Sequence, residues 1–157
     1  MWDGAAFVQW MTDNRDKIYE RQPLSRGVKE ECQKIDSESG YALVSFELTE
    51  EHLNFLSRVH GGIVALMLDE VSGIASIAYA GHRFKGTVES KISFFRSLRA
   101  GKVVAEATVV HASSSMLFVE ATVSDENGQI AAKSTSTFAV AKSPPNNDQS
   151  GLAGGYV

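Results

Sequence analysis

The middle of the chain is a segment of apolar and small residues, 61–81, that follows His60 and begins with a Gly-Gly pair. Its only charged side chains are two adjacent carboxylates, Asp69 and Glu70. A helix of this composition is apolar almost all round, which in a globular protein places it in the core. An ionised carboxylate there is costly unless the protein uses it. We therefore predict a buried helix from Gly61 to about Gly81, with Asp69 as a candidate functional group.

Gly61 and Asp69 are too far apart on one helix to act on the same atom. The free N–H groups of a first helical turn form a positively polarised end, which suits a carbonyl oxygen that gains negative charge. Asp69 follows eight residues later, about 12 Å along the axis and roughly 80° around it. Two antiparallel copies related by a twofold axis would bring the two groups together. If they share a site, the spacing predicts a homodimer with two sites at its interface.

His60-Gly61-Gly62, with Asp69 nine residues after the histidine and Asn54 six residues before it, resembles the hotdog-fold acyl-CoA thioesterases of the phenylacetate-degradation type. The resemblance covers roughly residues 40–140. It implies an α+β fold in which an antiparallel β-sheet wraps around one long central α-helix. It also implies hydrolysis of the thioester of an acyl-CoA, and a homodimer that pairs into a dimer of dimers.

The resemblance also implies roles for the glycine motif and its aspartate. The Gly61 N–H would polarise the thioester carbonyl, and Gly62 would contact the substrate beside it. Asp69 of the partner subunit would act as general base or nucleophile. Glu70 is expected to be structural, because it lies about 100° around the helix from Asp69 and the two cannot easily face one cleft.

Three further residues match family positions beside the thioester. By resemblance, Asn54 helps to place substrate or water, His60 helps to hold the loop, and Thr87, at the start of the next strand, lies near the attacking water. The plain alternative for Asn54 is that it caps its own loop. For His60 we favour a ring that hydrogen-bonds backbone at the helix start over direct proton transfer.

Basic residues cluster after that strand, at Arg96, Arg99 and Lys102. Such a group is usually solvated surface, but arginine recognises phosphates well, and CoA carries several. We predict that Arg96 or Arg99 contacts CoA. The formal net charge of −4 gives no reason to expect nucleic acid as a partner.

The chain is the length of one domain, 157 residues with 43% hydrophobic content. We predict a domain over 1–142, whose lead-in, 1–39, carries a helix at Trp2–Tyr19, and a disordered tail over 143–157. The single Cys32 excludes an intrachain disulfide, and no signal-peptide pattern occurs at Met1–Met11. With no apolar run of about 18 residues, a cytoplasmic protein with no membrane partner is expected.

Around the helix, the pattern predicts strands joined by turns. Asn127-Gly128 is a strong hairpin signal, and Ala100-Gly101 is a second turn. We expect the four strands after the helix to follow one another as hairpins. The predicted strands are 40–48, 87–95, 103–111, 117–124 and 129–140.

Motifs for other chemistries are missing from the sequence. There is no G-x-S-x-G elbow, no H-E-x-x-H and no glycine-rich phosphate loop, so neither a metal nor a cofactor is expected beyond the CoA of the substrate. Hydrolysis by Asp69 would need burial to raise its pKa. Ile63 and Met67, near the partner's Phe94 or the partner's Phe95, would line a pocket for an aromatic or medium-chain acyl group. A hotdog-fold hydratase or dehydratase and a non-catalytic acyl-CoA-binding module remain as alternatives.

Overall fold

The computed structural model describes residues 4–142. Predictions for 1–3 and for the tail at 143–157 lie outside the described residues. Within them, six strands form one antiparallel sheet in the order β1-β2-β4-β5-β6-β3, and the long helix α4 packs on that sheet. The elements are α1 (Gly4–Asp13), α2 (Arg15–Arg21), α3 (Pro23–Gly27), β1 (Glu31–Asp36), β2 (Tyr41–Leu48), α4 (Gly61–Ala80), β3 (Phe84–Phe94), β4 (Gly101–Ala112), β5 (Met116–Asp125) and β6 (Ile130–Val140).

The helix α4 is the centre of the core, as predicted. Its fully buried side chains include Met67, Leu68 and Val71, each worth roughly 1.5–3 kcal/mol of burial free energy. The helix ends at Ala80 and is followed by the cap residue Gly81, whose φ of +55° is one that glycine adopts at little cost. By length and composition α4 could span a membrane, but its burial against the sheet accounts for that composition.

Small residues on β4 and β5 let this helix lie close to the sheet. Ala105, Ala107 and Ala121 face inward and are almost completely buried, in alternation with outward-facing residues. The strands therefore show the period of two that the sequence predicts, with one face on the helix.

The strand pairing differs from the prediction in two places. The strand β1 is unpredicted, because three of its six residues are charged and conceal the alternation. The predicted hairpin at Ala100-Gly101 is wrong, because β3 pairs with β6 at one edge and β4 pairs with β2 inside the sheet. The predicted hairpin between β5 and β6 is present, with Gly128 at φ +74° and its N–H donating to the Asp125 carbonyl at 2.9 Å.

Candidate active site

Asp69 and Thr87 lie together where α4 passes the start of β3. The Thr87 hydroxyl donates a hydrogen bond of 3.0 Å to Oδ1 of Asp69. Thr87 is the fourth residue of β3 rather than its first, because the strand begins at Phe84. The Asp69 side chain is exposed in the single chain, so the burial expected for a base must come from substrate or a second subunit.

The N-terminus of α4 leaves one backbone donor available. The His60 ring accepts a hydrogen bond of 3.0 Å from the Gly62 N–H and so acts as the N-cap. This is the structural role predicted for His60. The hydrogen bond leaves the Gly62 N–H unavailable to substrate. The Gly61 N–H has no hydrogen-bond partner among residues 4–142. The Gly61 N–H is therefore the backbone donor at this end of α4 that can hydrogen-bond a substrate carbonyl oxygen.

Asn54 shapes the loop that leads to this helix end. Its side-chain oxygen accepts hydrogen bonds from the backbone N–H groups of Leu56, at 2.9 Å, and Arg58, at 3.3 Å. This is the loop-capping arrangement, and it uses only the oxygen. The amide nitrogen of Asn54 has no partner in the described part of the chain and can still donate to substrate or water.

The basic residues lie near the same end of α4, since the Leu98 carbonyl accepts a hydrogen bond of 3.0 Å from the Val59 N–H. Arg96 is engaged by the turn between β5 and β6, through Gln129 and an ion pair of 3.6 Å with Asp125. Arg99 is exposed and has no hydrogen bond or ion pair within the described ranges. Of the two arginines, Arg99 is the one available to a phosphate.

A cavity of about 280 Å³ lies beside Asp69 and Thr87. The helices α1 and α2 supply one wall, so the N-terminal segment contributes to the site. Met67 is fully buried in the core, so its predicted place in the pocket is wrong. Ile63 does not line this cavity, and its place in a pocket shared with a partner subunit stays a prediction. Its apolar walls come from Met11, Ile18, Ile74, Ile77, Phe84 and Phe138.

Known proteins are similar to this chain in sequence and fold. A family model described as thioesterase superfamily matches residues 56–132, which include Gly61, Asp69 and Thr87. The structure of conserved protein PA5202 from Pseudomonas aeruginosa is 30% identical, covers 74% of this chain and 91% of that chain, and superposes with a TM-score of 0.68. The chain belongs to the thioesterase superfamily. The family recognised from the sequence is confirmed, and this thioesterase is a thioester hydrolase with the predicted hotdog fold.

Two other solved structures extend the comparison for this thioesterase. The Streptococcus mutans protein smu.793, determined bound to acetyl CoA, is 26% identical, with a TM-score of 0.65 over 71% of this chain and 87% of that chain. Escherichia coli PaaI, from the phenylacetic acid degradation operon, is 19% identical, with a TM-score of 0.72 over 85% of this chain and 94% of that chain. The PaaI likeness shows a shared fold.

Glu70 lines the same cavity as Asp69, which corrects the expectation that the two could not face one cleft. The cavity is wide enough to follow the helix surface across both positions. Burial, together with the nearby carboxylates of Glu30 and Asp69, raises the pKa of Glu70 to about 7. Burial also raises the pKa of Glu30. Glu30 was not predicted as a site residue, because it directly precedes β1, where charged residues hide the alternation of buried and exposed positions.

The raised pKa of Glu70 predicts how the stability of the thioesterase depends on pH. Glu70 binds its proton more tightly in the folded protein than in the unfolded chain. Its favourable contribution to the free energy of unfolding is therefore fully present below about pH 4.5 and is lost as the pH rises through 7. Glu70→Gln removes that loss. We expect the variant to exceed wild type by about 2 kcal/mol in free energy of unfolding at pH 8, and to approach it near pH 4.5.

Urea denaturation at the two pH values measures this difference. Glu20→Gln, an exposed position on α2, is the matched control and should show no gain that depends on pH. If Glu70→Gln raised the free energy of unfolding equally at both pH values, ionisation of Glu70 would not be the cause.

Proposed function

We propose that this thioesterase hydrolyses the thioester bond of an acyl-CoA with an aromatic or medium-chain acyl group. The observation that carries the proposal is the hydrogen-bonded pair of Asp69 and Thr87 on the wall of a largely apolar cavity. Such a cavity can take an acyl chain while the carboxylate faces the thioester. The acetyl CoA bound to the Streptococcus mutans relative supports CoA as the carrier.

The proposed reaction uses the chain's own groups and one water molecule. Asp69 takes a proton from water as the oxygen attacks the thioester carbon, and Thr87 holds one carboxylate oxygen so that the other can face the water. The unpaired Gly61 N–H and the helix dipole stabilise the oxyanion. The carbon–sulfur bond then breaks, and the proton passes to the thiolate of CoA. Direct attack by Asp69, through an anhydride, is the alternative route.

A second copy of the chain is part of the proposal, because Gly61 and Asp69 are separated along one helix. The strand β3 is an 11-residue edge strand with exposed apolar side chains, Val88 at 57% and Phe94 at 56%. A long edge of this kind pairs readily with another strand. We propose a homodimer that covers β3 and brings Gly61 of one subunit to Asp69 of the other. Its pairing into a dimer of dimers and its cytoplasmic location remain predictions.

The test is release of free thiol from a panel of aryl and straight-chain acyl-CoA esters, with the mass of the same preparation measured by light scattering. We expect turnover of at least one ester class and a mass of twice 17.0 kDa or a multiple of it. Tight ester binding with no thiol release would favour the binding-module alternative. Hydration of an enoyl-CoA without thioester cleavage would favour the hydratase.

A further inference from the structure

Gly73 lies in the interior of the 20-residue helix α4, where glycine is the least favourable residue after proline. Two common reasons for a glycine do not apply to it. Its φ is not positive, so the backbone does not require glycine. A Cβ placed on Gly73 would have no packing neighbour within 4 Å, so close packing within the described residues does not require glycine either. The missing side chain leaves open space.

The space beside Gly73 belongs to the cavity of the candidate active site. The residues of α4 that line this cavity are Asp69, Glu70, Gly73, Ile74 and Ile77. None of them precedes Asp69, so along the helix the cavity extends from Asp69 toward the C-terminal end. Asp69, Gly73 and Ile77 are four positions apart and therefore form one row, with about 6 Å along the axis between neighbours. Gly73 lies one turn beyond the proposed base, on the way into the cavity.

The distance from Asp69 to Gly73 can be expressed as a length of acyl chain. An extended chain with bonds of about 1.5 Å advances roughly 1.3 Å per carbon, so a chain that starts beside Asp69 passes Gly73 near its fifth carbon. Beyond that point the walls include the apolar side chains of Ile77 and Phe84, which suit methylene groups.

We propose that Gly73 is a specificity-determining residue, whose missing side chain keeps the deep part of the cavity open to straight acyl chains longer than about five carbons. The inference rests on the proposed thioesterase function. It narrows the acyl group to chains that extend past the first turn beyond Asp69. A side chain at position 73 would occupy the space that the later carbons of such a chain need.

The stability of Gly73→Ala distinguishes this role from a packing role. A glycine required by close packing would make the variant less stable than wild type. Open space has the opposite consequence, because alanine then fits without a clash and is the better helix former. We therefore expect a higher midpoint in urea denaturation for Gly73→Ala. A lower midpoint would show that the space beside Gly73 is not open, and would overturn the proposal.

Gly73→Leu tests the specificity directly. We expect kcat/KM for octanoyl-CoA to fall at least about 10-fold relative to that for butanoyl-CoA, since one methylene group in an apolar pocket changes this quantity by roughly 10- to 200-fold. Gly73→Ala should shift the ratio in the same direction by less, and it carries the test if the larger side chain prevents folding. An unchanged ratio in the folded variant would contradict the role of Gly73.

Gly27→Leu is the matched control for the specificity test. Gly27 is exposed at the end of α3, also has nothing within 4 Å of a Cβ placed on it, and does not line the cavity. Its ratio of kcat/KM for octanoyl-CoA and butanoyl-CoA should equal that of wild type. An equal shift in both leucine variants would show that the effect does not come from the cavity.

Ile77→Ala provides the complementary change at the next position of the row. Removing most of this side chain lengthens the cavity, so kcat/KM for dodecanoyl-CoA should rise relative to that for octanoyl-CoA. An unchanged or reduced ratio would show that the acyl chain does not extend along Asp69, Gly73 and Ile77.

Calorimetric binding of two thioether analogues, S-butyl-CoA and S-octyl-CoA, separates this inference from the proposed function. Wild type should bind S-octyl-CoA more tightly, and Gly73→Leu should lose that difference. This result without thiol release from any ester would support the role of Gly73 and reject acyl-CoA hydrolysis. A difference that Gly73→Leu retains, with ester turnover intact, would reject the role of Gly73 alone.

Discussion

Asp69→Asn is expected to lower kcat for the best acyl-CoA ester by about 10³-fold, with little change in KM. General-base catalysis contributes roughly 10²–10⁴ to a rate, and an amide cannot accept the proton from water. The Thr87 hydroxyl can still donate to the amide oxygen, so the geometry of the pair should persist. Steady-state thiol release by wild type and variant, in preparations of equal mass and thermal stability, measures the loss.

Asp16→Asn is the matched control for this variant, because Asp16 is exposed on α2 and does not line the cavity. Its kcat should equal that of wild type. An Asp69→Asn enzyme that retains most of its kcat would remove Asp69 from the mechanism, and the unpaired Gly61 N–H would then be the main catalytic group on this helix.

The catalytic helix was predictable because its sequence is unambiguous. Its apolar residues extend over more than five turns, and the only two charges interrupt them, so both its limits and Asp69 follow from composition and spacing. His60 as the cap of that helix was also predictable, since the N–H groups of a first helical turn need acceptors and the residue just before that turn can supply one.

The pairing of β3 and the burial of Glu30 could not be predicted from the sequence. Consecutive strands usually neighbour one another, which made a hairpin between β3 and β4 the reasonable expectation. The chain instead crosses from the sheet edge to its interior, and only tertiary packing specifies that step. Glu30 lies beside residues of α1 and α2 in the cavity wall, and no local sequence pattern predicts a carboxylate at such a place.

The packing of the turn between β1 and β2 predicts the largest loss of stability from a single methyl group. Gly40 has φ +63°, and a Cβ built on it would lie 2.6 Å from Cγ2 of Val109 and 3.1 Å from a ring carbon of Tyr79. The Gly40 carbonyl also accepts a hydrogen bond of 3.0 Å from the Val109 N–H, so the turn cannot easily move away. The added methyl group therefore meets both backbone strain and a steric clash.

Gly40→Ala is expected to reduce the free energy of unfolding by about 3 kcal/mol, since the left-handed conformation costs about 1 and overpacking about 1–3 kcal/mol. Urea denaturation should show a lower midpoint at an unchanged slope.

Gly27→Ala is the control, because nothing lies within 4 Å of a Cβ placed on Gly27 and its φ is not positive. Its free energy of unfolding should stay within about 0.5 kcal/mol of wild type. Val109→Gly combined with Gly40→Ala should recover part of the loss, because it removes both atoms that lie within 3 Å of the added methyl group, Cγ2 at 2.6 Å and Cβ at 2.8 Å, while the strain at φ remains. A double variant as unstable as the sum of the two single variants would show that the methyl group added at position 40 does not meet Val109, and that the fold places this turn elsewhere.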